Sequence, residues 1–184
     1  MAKQHYFLPS GSTPTVHPVR LGAGSGAANN LSTADEGKLI KLVAESRYDL
    51  AAVGDPIEGV IYAVEVANSQ GFTIGGRVNE GQIFAIADGL QATPGTGALA
   101  VGDYVVAGTI TAKGTRLVSF PKVCKATDQP GAAVTAADNL VASINAALAK
   151  ISAGANIGRH GWRVMSLTAV GTGAVGTQVV LERV

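Results

Sequence analysis

The sequence predicts a mainly β protein, a small β-barrel or β-sandwich with one α-helix and an extended N-terminal arm. Three observations carry that expectation. Glycine is frequent, 24 of 184 residues, roughly twice the usual share of about 7%, as in a chain that turns often. Short runs of alternating apolar residues recur between Lys38 and Lys125, bounded by Gly, Asn and Asp clusters. Residues 1 to 34 hold Pro, Gly, Ser, Thr and Asn with almost no apolar period, which is the pattern of a segment outside the regular elements.

That segment sets the first boundary, an arm over residues 1–37. Pro9, Pro14 and Pro18 fix φ and remove backbone donors, which argues against a helix or a central strand. Tyr6, Phe7, Leu8, Val16, Val19 and Leu21 are apolar side chains that a solvated tail does not need. They are the candidate partner-binding residues, expected to be buried only in an assembly.

Residues 38–184 read as a single β-rich domain. Lys38 to Val43 opens it. Val60, Tyr62, Val64 and Val66 then place larger apolar groups on one face, and Phe72, Ile74, Gly76 and Val78 repeat that alternation against Thr73, Gly75, Arg77 and Asn79. Gln82 to Ala87, Tyr104 to Ile110, Leu117 to Phe120 and Lys122 to Ala126 are further strand candidates. A helix is expected over about 135–151, where Leu140, Ile144, Leu148 and Ile151 recur at helical spacing, with Thr135 and Asp138 at its start and Gly154 beyond its end. Trp162 to Val170 and Thr177 to Val184 form a terminal hairpin around a glycine-rich turn.

One phrase occurs twice. "AVGD" at Ala52 returns at Ala100, each time ahead of a strand-forming run. Glycine permits φ > 0 and an aspartate side chain can bond backbone donors in a turn, so Asp55 and Asp103 read as turn residues rather than as paired catalytic carboxylates.

Composition excludes several function classes. The net charge is +1, from 14 basic and 13 acidic residues, which leaves no electrostatic footprint for a nucleic-acid backbone. Charged residues are only 15% of the chain against about 25% in ordinary domains, so the surface is neutral enough to be covered by a partner. The single cysteine, Cys124, cannot close an internal disulfide and reads as a buried thiol. No run is long and apolar enough for a membrane span, and the chain reads as one made in the cytoplasm.

No catalytic constellation emerges. Gly22, Gly24 and Ala27 stand at dinucleotide-loop spacing, but no strand pattern precedes them. Ser25 lacks the flanking glycines of a nucleophile elbow. His5, His17 and His160 are the histidines, without metal-ligand spacing, and His160 has no nucleophile paired with it by context. The expectation is no enzyme, no cofactor and no metal.

The stretch "KLIKLVAESRYDLAAVGDPIEGVIYAVEV", Lys38 to Val66, with the second "VGDYVVAG", Val101 to Gly108, resembles decoration or cement proteins of tailed bacteriophage capsids. The resemblance implies a β-rich virion protein on the outer surface of an icosahedral shell, bridging and stabilising subunits of the major capsid protein and associating with copies of itself as a dimer or trimer. Two other classes are weighed against it: a small virion-associated hydrolase, which needs paired carboxylates or a nucleophile with a base, and a receptor- or glycan-binding fibre or spike module, which needs exposed aromatics, for which Trp162 and four tyrosines are available.

Overall fold

The computed structural model describes residues 15–22, 31–44, 46–65, 73–88, 98–126, 161–167 and 176–183. Through them run the strands β1 (Val16–Leu21), β2 (Leu39–Ala44), β3 (Arg47–Leu50), β4 (Gly59–Glu65), β5 (Thr73–Val78), β6 (Gln82–Ala87), β7 (Tyr104–Ala107), β8 (Lys122–Lys125), β9 (Trp162–Leu167) and β10 (Gln178–Arg183), with a 3-10 turn at Thr33–Asp35. The fold is mainly β. Its strands close two barrels, β1-β3-β2-β4-β5 and β10-β6-β8-β7-β9.

The two barrels are the same object built twice. Each takes five consecutive strands in one circular order, with a parallel contact between its first and third strands and antiparallel contacts elsewhere. The registers coincide. Arg20 and Leu21 face Arg47 and Tyr48 as Ile86 and Ala87 face Lys122 and Val123; Leu39 and Ile40 face Val60 and Gly59 as Tyr104 and Val105 face Arg163 and Trp162. Even the irregularity repeats. Between Ile61 and Ala63 the ladder skips Tyr62, and between Val164 and Ser166 it skips Met165, a β-bulge at the same point of each barrel. The barrels differ in their connections: β3 reaches β4 through residues 51–58, whereas β8 reaches β9 through residues 126–161.

Turns obey the same equivalence. Gly37 N donates to Ile61 O (2.8 Å) and Ile61 N to Lys38 O (3.0 Å); Gly102 N donates to Val164 O and Val164 N to Asp103 O, both 2.9 Å. Both glycines have positive φ, 84° and 94°, which a side chain would strain.

The second barrel is filled by Ile83, Ala85, Ala87, Val105, Ala107, Val123, Trp162, Val164, Val179 and Leu181, and Leu39, Ala51, Ile57 and Val60 of the first barrel join that cluster. The barrels therefore pack on each other through apolar contacts. The first barrel's own core is smaller, with Leu21, Leu31, Ile40, Ile61 and Val64 backed by Val19, Tyr48 and Leu50. Burying a side chain such as Leu21, only 1% exposed, stabilises by about 1.5–3 kcal/mol.

The arm expected over residues 1–37 is corrected at residues 15–22 and 31–37; residues 1–14 and 23–30 lie outside the described residues. Residues Val16–Leu21 form β1, paired with β5 along its length and with β3 at Arg20 and Leu21, and Thr33–Asp35 is an ordered turn that starts at a capping box on Ser32. Pro18 is tolerated for a specific reason. Gly22 N donates to Tyr48 O on the β3 side, and the alternation of backbone groups points the nitrogen of Pro18 to that same side, beyond the two residues that pair there. The donor that proline lacks has no acceptor to miss.

Inward and outward faces also differ from expectation. In β5 the inward residues are Thr73, Gly75 and Arg77: a Cβ on Gly75 would collide with Leu21 Cδ1, and one on Gly59 would lie 2.7 Å from Arg77 Cγ. In β4 the bulge turns Tyr62 outward, 37% exposed, between buried Ile61 and Val64. Leu117 to Phe120 holds no strand, the chain bending over Val118 to Phe120, and β3 was not anticipated. The terminal β9–β10 pairing is antiparallel, as expected for a hairpin. The helix expected over about 135–151 lies outside the described residues.

Candidate functional site

The outer face of the first barrel carries the most coherent contact surface. On β1 the outward residues are Val16, Pro18 and Arg20, all exposed; β5 offers Ile74 and Gly76 beside them, with Arg20 and the exposed Glu65 facing Ile74 from its two sides, and the bulge of β4 delivers Tyr62. Gly76 joins these strands, since a Cβ there would stand 2.6 Å from Val16 Cγ1 and 3.7 Å from Tyr62 Cβ. Without one, Val16 and Tyr62 lean together across the strand, 40% and 37% exposed. Bulges commonly re-aim a side chain in this way, and an exposed apolar cluster with a tyrosine at its edge suits contact with a protein surface.

The residues expected to bind a partner do not form one surface. Val16 belongs to this face, Val19 packs against the first core, and Leu21 is inside it; Tyr6, Phe7 and Leu8 lie outside the described residues. The structure adds Pro18, Tyr62 and Ile74. Tyr62 was visible in the sequence as an aromatic in a strand, but alternation assigned it to the buried side because a bulge leaves no mark in apolar periodicity.

The polar groups weighed as catalytic candidates have structural partners. Asp55 Oδ2 accepts from Ala52 N (2.7 Å) and pairs with Lys41 Nζ (2.6 Å). Asp103 Oδ2 accepts from Ala100 N (2.8 Å) and pairs with Lys125 Nζ (2.9 Å). Each carboxylate closes its own "AVGD" turn, in which Asp N donates to Ala O across a glycine of positive φ, 87° at Gly54 and 94° at Gly102. Cys124 is buried. Burial, and then the charge of Asp88, push its thiol up to about 11, far from the thiolate a nucleophile needs. His5, His160 and Ser25 lie outside the described residues. Among the described residues no group of three or more His, Cys, Asp or Glu could hold a metal ion, and no helix is long and apolar enough to cross a membrane.

Two polar clusters are buried instead of exposed. At the seam, Lys38 Nζ pairs with Asp35 Oδ1 (2.7 Å) and donates to Ala112 O (2.7 Å), while Gly114 N donates to the same carboxylate (2.8 Å) and Ser32 N to its other oxygen (2.9 Å). Burial alone would raise the Asp35 carboxyl; the donors Lys38, Ser32 and Gly114 outweigh it and hold the group below its ordinary value. This ion pair ties the first barrel to the β7–β8 connection of the second. Inside the first barrel, Arg77 lies over the Tyr48 ring (4.5 Å to the centroid) and donates to Tyr48 Oη (2.7 Å); the buried atoms His17 Nε2, Arg77 Nε and Asn79 Oδ1, and Trp162 Nε1 of the second barrel, find no partner among the described residues.

Trp162 is 0% exposed within the second core, so it does not serve as a sugar-stacking platform. No family model matches the chain, and neither does any curated protein or solved structure.

Proposed function

We propose that the chain is a non-enzymatic structural protein of a virion that attaches to the outer surface of an icosahedral phage capsid and bridges major capsid protein subunits. The observation that carries this reading is the apolar face of Val16, Pro18, Tyr62 and Ile74 around Gly76, set on a chain with few charges. Arg20 and Glu65, of opposite sign, stand beside Ile74 at the rim of this face, so its apolar centre can be buried against another protein without adding a net charge to the interface. The likeness of Lys38 to Val66 and Val101 to Gly108 to capsid decoration proteins supports the same reading.

Co-sedimentation of the purified chain with undecorated shells tests it directly. The chain should pellet with the shells, and the double substitution Val16→Asp, Tyr62→Asp should weaken attachment by roughly tenfold or more while leaving the thermal transition within a few degrees of the parent. A chain that stays in the supernatant at saturating shell concentration sinks the proposal. Tight attachment of the double variant moves the contact to another face.

A further inference from the structure

The second barrel shows what is missing from one place in the first. An open groove of about 440 Å³ lies beside β1, lined by Pro18, Val19, Arg20, Ser46, Tyr48 and Ile74. It opens because β1 pairs with β3 only at Arg20 and Leu21, and because residues 45–46 alone join β2 to β3. In the second barrel residues 108–121 make the matching connection, and they bring Phe120 to Phe84, with ring centroids 5.3 Å apart. Pro18 stands where Phe84 does, facing Gly76 as Phe84 faces Val180. An aromatic ring from the chain covers this place in one barrel, and the short turn of the other supplies none.

The charges differ as well. Arg20 faces Arg47 across the β1–β3 ladder, and like charges so placed oppose the pairing. The matching pair in the second barrel is Ile86 and Lys122, and Asp88 Oδ1 lies 3.8 Å from Lys122 Nζ. Gly22 takes the place of that aspartate in the first barrel: Gly22 N donates to Tyr48 O as Asp88 N donates to Val123 O. Of the acids nearby, Glu65 offsets one arginine from beyond Ile74, and Asp49 faces Lys41; Glu45 lies outside the described residues. Among the described residues, the groove side of the face therefore keeps a positive surplus.

We infer that the groove receives an extended segment of the protein that covers the candidate face, a segment that carries an aromatic side chain beside a carboxylate. The ring sits against Pro18, Tyr48 and Ile74, as Phe120 sits against Phe84 in the second barrel. The carboxylate bridges Arg20 and Arg47, whose guanidinium forks match a planar anion. Before Arg20, β1 has no strand on this side among the described residues, so an extended segment can lie along it. The inference rests on the reading of this face as a protein contact and adds the chemistry of the partner.

Phenylpropionate, a ring and a carboxylate in one small molecule, is the probe. Titrated into the full chain and followed by amide NMR, it should give saturable shifts at Val19, Arg47, Tyr48 and Ile74. Phenylpropanamide, which lacks the charge, should bind roughly tenfold more weakly, a comparison that needs no variant. Arg47→Gln should weaken binding of the acid by a similar factor, and Val118→Lys, at a residue 96% exposed elsewhere, should leave it unchanged. Equal binding of acid and amide overturns the inference, and so does the absence of saturable shifts, as when Glu45 of the chain itself fills the site. Shells separate this result from attachment. A parent that pellets with them no more tightly than the double variant Arg20→Glu, Arg47→Glu overturns the inference and leaves attachment standing. A parent that binds the probe but ignores the shells removes the capsid as partner and keeps the groove.

Discussion

The first and second barrels share one ladder and hold different contents. Where the second has Trp162, Leu181, Val179 and Ile83, the first has Gly59, Arg77, Gly75 and His17 at the corresponding register positions. The substitutions compensate one another: the space that Trp162 takes beside Leu181 is given in the first barrel to the stem of Arg77, which passes where a Cβ of Gly59 would sit. The pair teaches that strand order, register and bulge are specified by backbone pairing and turns, while the interior accepts either a mainly apolar filling or a partly polar one. Only the apolar filling supplies the larger hydrophobic term.

Exchanging the contents is the strongest way to break that comparison. Leu181→Arg places a charge without a partner in the apolar second barrel and should destabilise by about 4 kcal/mol or more, enough to prevent folding. The reciprocal Arg77→Leu removes a charge from the polar barrel and should change stability by only about 1 kcal/mol either way. Urea unfolding of both variants checks the asymmetry; equal losses would mean that the two interiors are not different in kind.

Deletion through Leu21 comes next. Because β1 closes the first barrel between β3 and β5, its loss should abolish that barrel's amide protection in hydrogen exchange and lower the melting temperature, whereas a dispensable arm would leave both intact.

The seam between barrels can be weighed by pH. The Asp35 carboxyl is held below its unfolded value, so its contribution is present above the unfolded value of about 3.9 and is lost as pH falls through the folded one. Asp35→Ala leaves Lys38 buried without its ion-pair partner and should cost about 3–5 kcal/mol at neutral pH. The variant should also show a smaller decline of stability on acidification than the parent; an unchanged acid limb would remove Asp35 from the account.

The smallest expected effect distinguishes the turns. Asp103→Ala removes the acceptor for Ala100 N and the partner of Lys125 and should cost about 0.5–1.5 kcal/mol, with Asp55→Ala similar. A loss several times larger at Asp55 alone would show that its turn, which also bonds Ala107, carries the barrel contact through its side chain.

What could be read from the sequence follows from where local chemistry decides structure. Gln82–Ala87 alternates cleanly and is a strand with the expected bounds. The "AVGD" turns form because glycine and aspartate act within four residues. β1 could not be read, since a proline in a strand is acceptable only at a position whose bond partner is missing, and that depends on where β3 ends. β5 was read with its faces reversed because Arg77, the obvious outward residue, is inside. The repeat itself leaves almost no trace: matched positions share Gly37 with Gly102, Ala51 with Ala126 and Thr73 with Thr177 and little else. The audible echo pairs Asp55 with Asp103, whereas the fold pairs Lys38 with Asp103. Of the candidate contact face, Val16 was legible; Tyr62 depended on a bulge and Ile74 on which side of β5 turns outward.

The long connection between β8 and β9 has a consequence for synthesis. The first barrel is complete once Val78 has emerged, but β6 must await β10, the last of the described strands to be made. At about 5–20 residues per second, that wait is on the order of 5–20 s. During it the finished first barrel presents Leu39, Ala51, Ile57 and Val60 as a landing surface for the nascent β6, β7 and β8. A ribosome halted before Trp162 would release a chain with one closed barrel and three strands lacking their closing pair, so quality control of the second barrel falls on β9 and β10.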